Sequence, residues 1–373
     1  MPLVYRRMPI EVESPEEVGY GTIRHNLAES SMRDRTLGEL GLDADLGRVL
    51  LCYGDHRGHP GLRALLAAEA GISADGVLLT NGAAGALFMV ATAILGAGDH
   101  LVVVRPNYAT NLETPRAIGC GISFVDLTFE SGWRCDVEAV AAALRPETRL
   151  ISVTTPHNPS GVVMPQEELR ALAEVAERHG CWLLVDETYR DLTHGEPPPP
   201  AVTLGARVLG VASLSKAYGL PGLRLGWVMG RDPSLMTTLL AAKEQIQICG
   251  AILEEEIGHR VLARRAALLP EIRAEVGRAF AEVKAWMAAQ ELFEWVTPAG
   301  GVVAFPRLRA GVDVEGFHRI LRDEHGTMVG PGHWFEQERR YMRVGFGWPG
   351  AEELRGGLAS LTAAARAAAT GAR

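Results

Sequence analysis

The feature that most constrains this chain is an alternation between about residues 60 and 230, in which an apolar run is followed by a turn and then a stretch rich in Ala, Leu and Glu. Seven runs read as strands: VLLT, LVVV, ISFVDL, LISVTT, WLLVD, VLGVAS and LGWVMG. Most are continuously apolar rather than alternating, which is the pattern of strands covered on both faces of a sheet. The expected fold is therefore α/β, a mainly parallel seven-stranded sheet flanked by helices. Sheets of this kind bind ligands beyond the carboxyl ends of their strands, so the polar residues that follow each run are the ones to weigh.

At 373 residues the chain exceeds what one core usually serves, and a smaller α+β domain is expected beside the large one. The expected division is an N-terminal segment, 1–48, packing with the smaller domain, a large ligand-binding domain, 49–285, and a C-terminal domain, 286–373. Residues 232–290 read as helix, with Ala263 to Val276 as a charged, solvated face. From about Phe293 the pattern becomes short strands, turns and two amphipathic helices.

Composition narrows the function classes. No apolar run approaches the roughly 18 residues needed to span a bilayer, and a net charge of -8 argues against a nucleic-acid partner. The cysteines Cys52, Cys120, Cys135, Cys181 and Cys249 are odd in number and show no metal-ligand spacing, so no metal is expected. Their scatter suits a reducing cytoplasm, and the first residues carry no export-signal pattern.

Four motifs carry chemistry. Ser213-Leu-Ser215-Lys216 opens a glycine-interrupted loop that ends at Arg224. Two hydroxyls and a planar guanidinium suit a phosphate dianion, and a lysine amine held beside a cation in a cleft is primed to condense with an aldehyde. Phosphate and aldehyde together indicate pyridoxal 5'-phosphate. Such a cofactor needs a carboxylate to keep its ring nitrogen protonated, and Asp186, closing the run WLLVD, qualifies. Tyr189, three residues on, can reach the ring's phenolic oxygen, and Asn158, in the rigid turn Thr155-Pro-His-Asn158-Pro-Ser-Gly161, can approach that oxygen too. The turn Asn81-Gly82-Ala83-Ala84 leads into an Ala-rich helix and offers backbone N–H groups to an anion, while Tyr108 is placed to stack on a ring.

In order and spacing, over about residues 50 to 350, this series resembles the class I/II aminotransferases, fold type I pyridoxal-phosphate enzymes of the aspartate aminotransferase superfamily. The resemblance implies that Lys216 holds the cofactor and that Asp186 pairs with its ring nitrogen. It implies a homodimer in which Tyr53 crosses to the partner's phosphate, and Arg343 as the grip on the substrate α-carboxylate. Gly85 departs from the pattern, since many relatives carry an acidic residue there. Arg24 to Ser30 is expected to line the mouth of the site, with Glu29 as a substrate contact. The C-terminal half is also similar to capreomycidine-synthase-type cyclases, which act on an arginine-derived amino acid. The expected activity is transfer of an amino group from an amino acid to a 2-oxo acid. The alternative is elimination, replacement or ring closure, decided by shape near Glu29, Tyr108 and His333. Glu29 and Asp55 hint at a cationic substrate side chain.

Overall fold

The computed structural model describes residues 3–42 and 46–370. Positions 1, 2, 43–45 and 371–373, which belong to the expected 1–48 and 286–373 segments, lie outside the described residues. The chain enters through two short helices, Pro9–Val12 and Pro15–Val18, each with proline at its first position, where the missing N–H costs nothing. β1 (His25–Leu27) follows.

All seven expected strands form, with ends shifted by at most two residues: β2 (Val77–Asn81), β3 (His100–Arg105), β4 (Gly121–Asp126), β5 (Thr148–Thr154), β6 (Trp182–Asp186), β7 (Val208–Ser213) and β8 (Leu225–Met229). They make one sheet in the order β2-β8-β7-β6-β5-β3-β4. Their unbroken hydrophobicity has the expected cause. Leu101 and Val103 of β3 pack in one cluster with Leu87, Leu184 and Leu239, while Val102 and Val104 pack in another with Val185, Leu172 and Ala176. Each face is covered, so both sets of side chains are apolar.

Only β8 runs against the rest, pairing antiparallel with β7 and β2. The connection from Ser213 to Leu225 contains a single short 3-10 turn and no crossover helix, which a parallel return would require. The reversal places Ser213 opposite Gly226 and Asn81 opposite Leu225, so the Asn81 turn meets both ends of the Ser213–Arg224 loop at one end of the sheet.

Beyond β8 lie helices Pro233–Gln247, Ile252–Ala263 and Arg265–Ala288. The solvated charged face expected over Ala263 to Val276 is there in part, with Arg264 and Glu271 exposed, but the same stretch has a buried side. Leu268, Leu269, Ile272 and Val276 are buried, and Arg265 pairs with Glu69 and Asp191. The helix turns an apolar stripe inward that its many charges mask in the sequence. A second sheet, ordered β1-β12-β13-β10, is built from β1, β10 (Val303–Ala304), β12 (Thr327–Pro331) and β13 (Met342–Gly345), while β9 (Phe293–Glu294) pairs with β11 (Arg307–Leu308). Helices Val314–Asp323 and Ala351–Thr370 complete this region. β1 pairs in parallel with β12, and the residues after it run on to the loop that follows β7, where the Met32 N–H donates to the Lys216 carbonyl at 2.9 Å.

Candidate active site

A cavity of about 430 Å³ lies where the two sheets approach each other, and Lys216 reaches into it from the loop after β7. The Lys216 Nζ donates to Ser30 Oγ at 3.0 Å. Burial, reinforced by the positive charge of Arg343, lowers its pKa to about 8, against which the carboxylates of Glu29 and Glu16 pull upward. A larger share of the amine is therefore neutral near pH 7 than for an ordinary lysine, which is what a nucleophile or a base requires.

Asp186 stands at the carboxyl end of β6, almost fully buried, with its Oδ1 accepting from the backbone N–H (3.1 Å) and the hydroxyl (2.6 Å) of Thr188. Burial raises its pKa, opposed by those hydrogen bonds and the charge on Lys216. A protonated ring nitrogen is a partner that would make this buried carboxylate favourable. Tyr189 Oη donates to the Ser30 carbonyl at 2.6 Å, and burial pushes its phenol up to about 12.

The far end of the cavity gathers donors suited to an anion. Helix Gly82–Ile94 begins without a side-chain cap, so the N–H groups of its first turn are left for a ligand, and Ala83 and Ala84 line the cavity there. Gly82 has φ +66, and a Cβ on it would lie 2.7 Å from Arg224 Nη2, so the guanidinium is packed against the helix start. Arg224, Ser213 and Ser215 line the same end, and Tyr108 borders it. A phosphate dianion fits this donor set, which combines helix dipole, hydroxyls and guanidinium.

Arg343, on β13, closes the site from the second sheet. It donates to Asn158 Oδ1 at 3.2 Å and to the Ala28 carbonyl at 2.7 Å, while Phe335 lies under the guanidinium at 5.1 Å. Its Nε has no partner although the residue is only 4 % exposed. An unpaired donor buried on a guanidinium is costly unless a ligand answers it, and a carboxylate has the matching fork.

Twelve of the expected site residues line this one cavity: Glu29, Ala83, Ala84, Tyr108, Asn158, Asp186, Tyr189, Ser213, Ser215, Lys216, Arg224 and Arg343. Gly82 supports it from behind. Tyr53 lies elsewhere, 83 % exposed, as does Asp55, which pairs with Arg63 at 3.2 Å. His333 is also outside the lining, its Nε2 bonded to Glu13 at 2.8 Å. Ser30, expected at the mouth, also lines the cavity, whereas sequence reasoning missed Thr188, Trp334 and the strap that borders it through Ile10, Ser14, Glu16 and Tyr20. The prolines that open the strap's helices were a local signal for helix starts but none for where they pack. Away from the cavity, His59, Glu256 and His259 come close enough to hold a metal ion. However, His59 Nδ1 accepts the Leu62 N–H at 3.1 Å, so its Nε2 carries the proton and points it at Glu256, 3.2 Å away. The two ring nitrogens thus serve a helix cap and a hydrogen bond to Glu256 rather than a metal.

The pattern described as aminotransferase class I and II matches residues 26–358. The chain is 33% identical to capreomycidine synthase of Streptomyces vinaceus over 92% of this chain and 90% of that protein. It is 32% identical to the arginine–pyruvate transaminase AruH of Pseudomonas aeruginosa over 81% of this chain and 79% of that one. A pyridoxal-phosphate-dependent aminotransferase from Streptococcus suis superposes with a TM-score of 0.90 at 28% identity, covering 99% of each chain. With the match running from β1 into the last helix, and so through both sheets, the chain belongs to the class I and II aminotransferase family.

Proposed function

We propose that the protein is a pyridoxal-phosphate-dependent enzyme that acts on an amino acid, and that it transfers the α-amino group to a 2-oxo acid. The observation that carries this reading is convergence in one cavity: donors suited to an anion, a lysine amine with lowered pKa, a buried carboxylate and a guanidinium with an unpaired donor. Bound there, the cofactor supplies the aldehyde that takes up the substrate amine and the ring that draws electrons from its Cα. The first-turn N–H groups after Gly82, at Ala83 and Ala84, hold the phosphate together with Ser213, Ser215 and Arg224. Tyr108 stacks on the ring, Asp186 faces its nitrogen, and Asn158 and Tyr189 hold its phenolic oxygen. Arg343, steadied by Asn158, binds the substrate carboxylate, and Lys216 moves the proton at Cα.

Lys216→Ala is expected to abolish turnover together with the visible band that arises when the cofactor is joined to the lysine. A variant that keeps full activity would sink the assignment.

The identity with capreomycidine synthase favours a second reading, in which the same first steps lead to ring closure, elimination or replacement on the side chain. Mixing the loaded enzyme with amino acids separates the two, because only transamination accumulates the spectrum of the aminated cofactor. We further infer a homodimer, supported by exposed Leu50, Leu51, Tyr53, Ile246 and Ile248. A cytoplasmic setting is supported by five free cysteines.

A further inference from the structure

The cavity holds more carboxylates than a cofactor and an α-carboxylate account for. Among the lining acids, Glu11 accepts from the Met8 N–H at 2.8 Å, Glu17 pairs with Arg7 at 3.3 Å, and Asp34 accepts from Trp348 Nε1 at 3.3 Å. Two are answered less well. Glu29 has one oxygen held by the neutral hydroxyl of Tyr20 at 2.8 Å, and Glu16, on the helix Pro15–Val18, forms no ion pair among the described residues. Both raise the pKa of Lys216 and of Arg343, so both act on the reacting end of the cavity.

The cations that line the cavity are Lys216, Arg224 and Arg343. Arg224 is packed on the helix start, and the unpaired, buried Nε of Arg343 is itself the mark of an absent ligand carboxylate. Glu29 directly follows Ala28, whose carbonyl Arg343 holds. An amino acid anchored through its α-carboxylate at Arg343 therefore lies beside Glu29, in the space that Glu16 also borders.

We propose that Glu16 and Glu29 form a side-chain subsite that selects an amino acid carrying a cationic group, guanidinium or ammonium. This rests on the assignment of Arg343 as the α-carboxylate grip. A guanidinium pairs with carboxylates through its planar fork, a neutral isostere gains nothing from their charge, and a second carboxylate is repelled with no free cation to receive it. Selection of this kind works as much by excluding the wrong ligand as by holding the right one.

The test is calorimetric binding of arginine, its neutral isostere citrulline, and glutamate to the cofactor-loaded protein, with the visible spectrum of the same samples recorded separately. Arginine is expected to bind on the order of tenfold or more tighter than citrulline, the scale of a charge-assisted contact in a cleft. Glutamate is expected to bind weakest. Glu16→Gln, at an exposed position, and the double variant Glu16→Gln/Glu29→Gln should progressively remove the difference while leaving citrulline affinity within about twofold. Equal binding of arginine and citrulline by the unaltered protein overturns the proposal, as does a parallel loss of both ligands in the variants. A preference for arginine in protein that shows no cofactor band would leave the subsite standing and defeat the cofactor reading instead.

Discussion

Lys216 shows how one side chain's environment sets the condition under which the protein can be loaded. Its pKa is lowered from 10.5 to about 8, first by burial and then by Arg343. Only the neutral amine attacks an aldehyde, and lowering the pKa enlarges the neutral fraction at any pH below it. Cofactor uptake by the apoprotein, followed as growth of the visible band, should therefore rise with pH around a midpoint near 8. Glu16→Gln removes a charge that favours the ammonium, so it should move the midpoint lower still. A midpoint near 10 in the unaltered protein would contradict the burial argument. The lysine, Asp186 and Asn158 were legible from sequence because each stands in a short motif just after an apolar run. Glu16 was not, because nothing near it in the chain says that a strap opened by Pro9 and Pro15 folds back over a site whose lysine is 200 residues away.

At the scale of elements, the site depends on how closely β8 approaches the start of helix Gly82–Ile94. A Cβ on Gly226 would lie 2.5 Å from the Gly82 carbonyl carbon and 2.7 Å from the Ala83 nitrogen, contacts with backbone that cannot swing aside. Gly226→Ala must push the strand off the helix end that lines the cavity. We expect a loss of about 1–3 kcal/mol in stability, typical of overpacking, and weaker cofactor retention. Gly85→Ala lies inside the same helix, where the nearest neighbour of the added carbon is 3.4 Å away, and should be neutral or slightly stabilising. Thermal melting with and without cofactor separates the two, and equal behaviour would refute the close-approach argument. The strands of the large sheet were readable because burial on both faces leaves an unbroken apolar run. Two-residue strands such as Phe293–Glu294 and Arg307–Leu308 carry no such pattern. The pairing of His25–Leu27 with Thr327–Val329 joins positions some 300 residues apart, which no local period encodes.

For the whole molecule, the question is what covers its bare apolar surface. Leu50, Leu51 and Tyr53 are 75 %, 76 % and 83 % exposed, and Ile246 and Ile248 are about half exposed. The two stretches adjoin: His56 Nδ1 lies 2.7 Å from Glu244 Oε1, and a Cβ on Gly54 would touch Ile252. Burying a large apolar side chain contributes about 1.5–3 kcal/mol, so this surface is an expense to a monomer and a resource to a dimer. A recess of about 300 Å³ lined by Asn81, Arg224, Gln247 and Glu254 opens beside the same region. Under two-fold symmetry each chain would offer both the projecting residues and the recess. We propose that Tyr53 serves the partner's site across this interface, as the family resemblance implies. Two variants separate assembly from contact. Leu50→Asp/Ile246→Asp should sediment as a monomer and lose cofactor on dilution. Tyr53→Phe should remain dimeric while holding cofactor more weakly by about tenfold, the scale of one hydrogen bond to a charged group. A dimer that survives both aspartates, or a monomer that retains cofactor as firmly as the unaltered protein, would mean that the recess and the exposed tyrosine serve something other than a shared site.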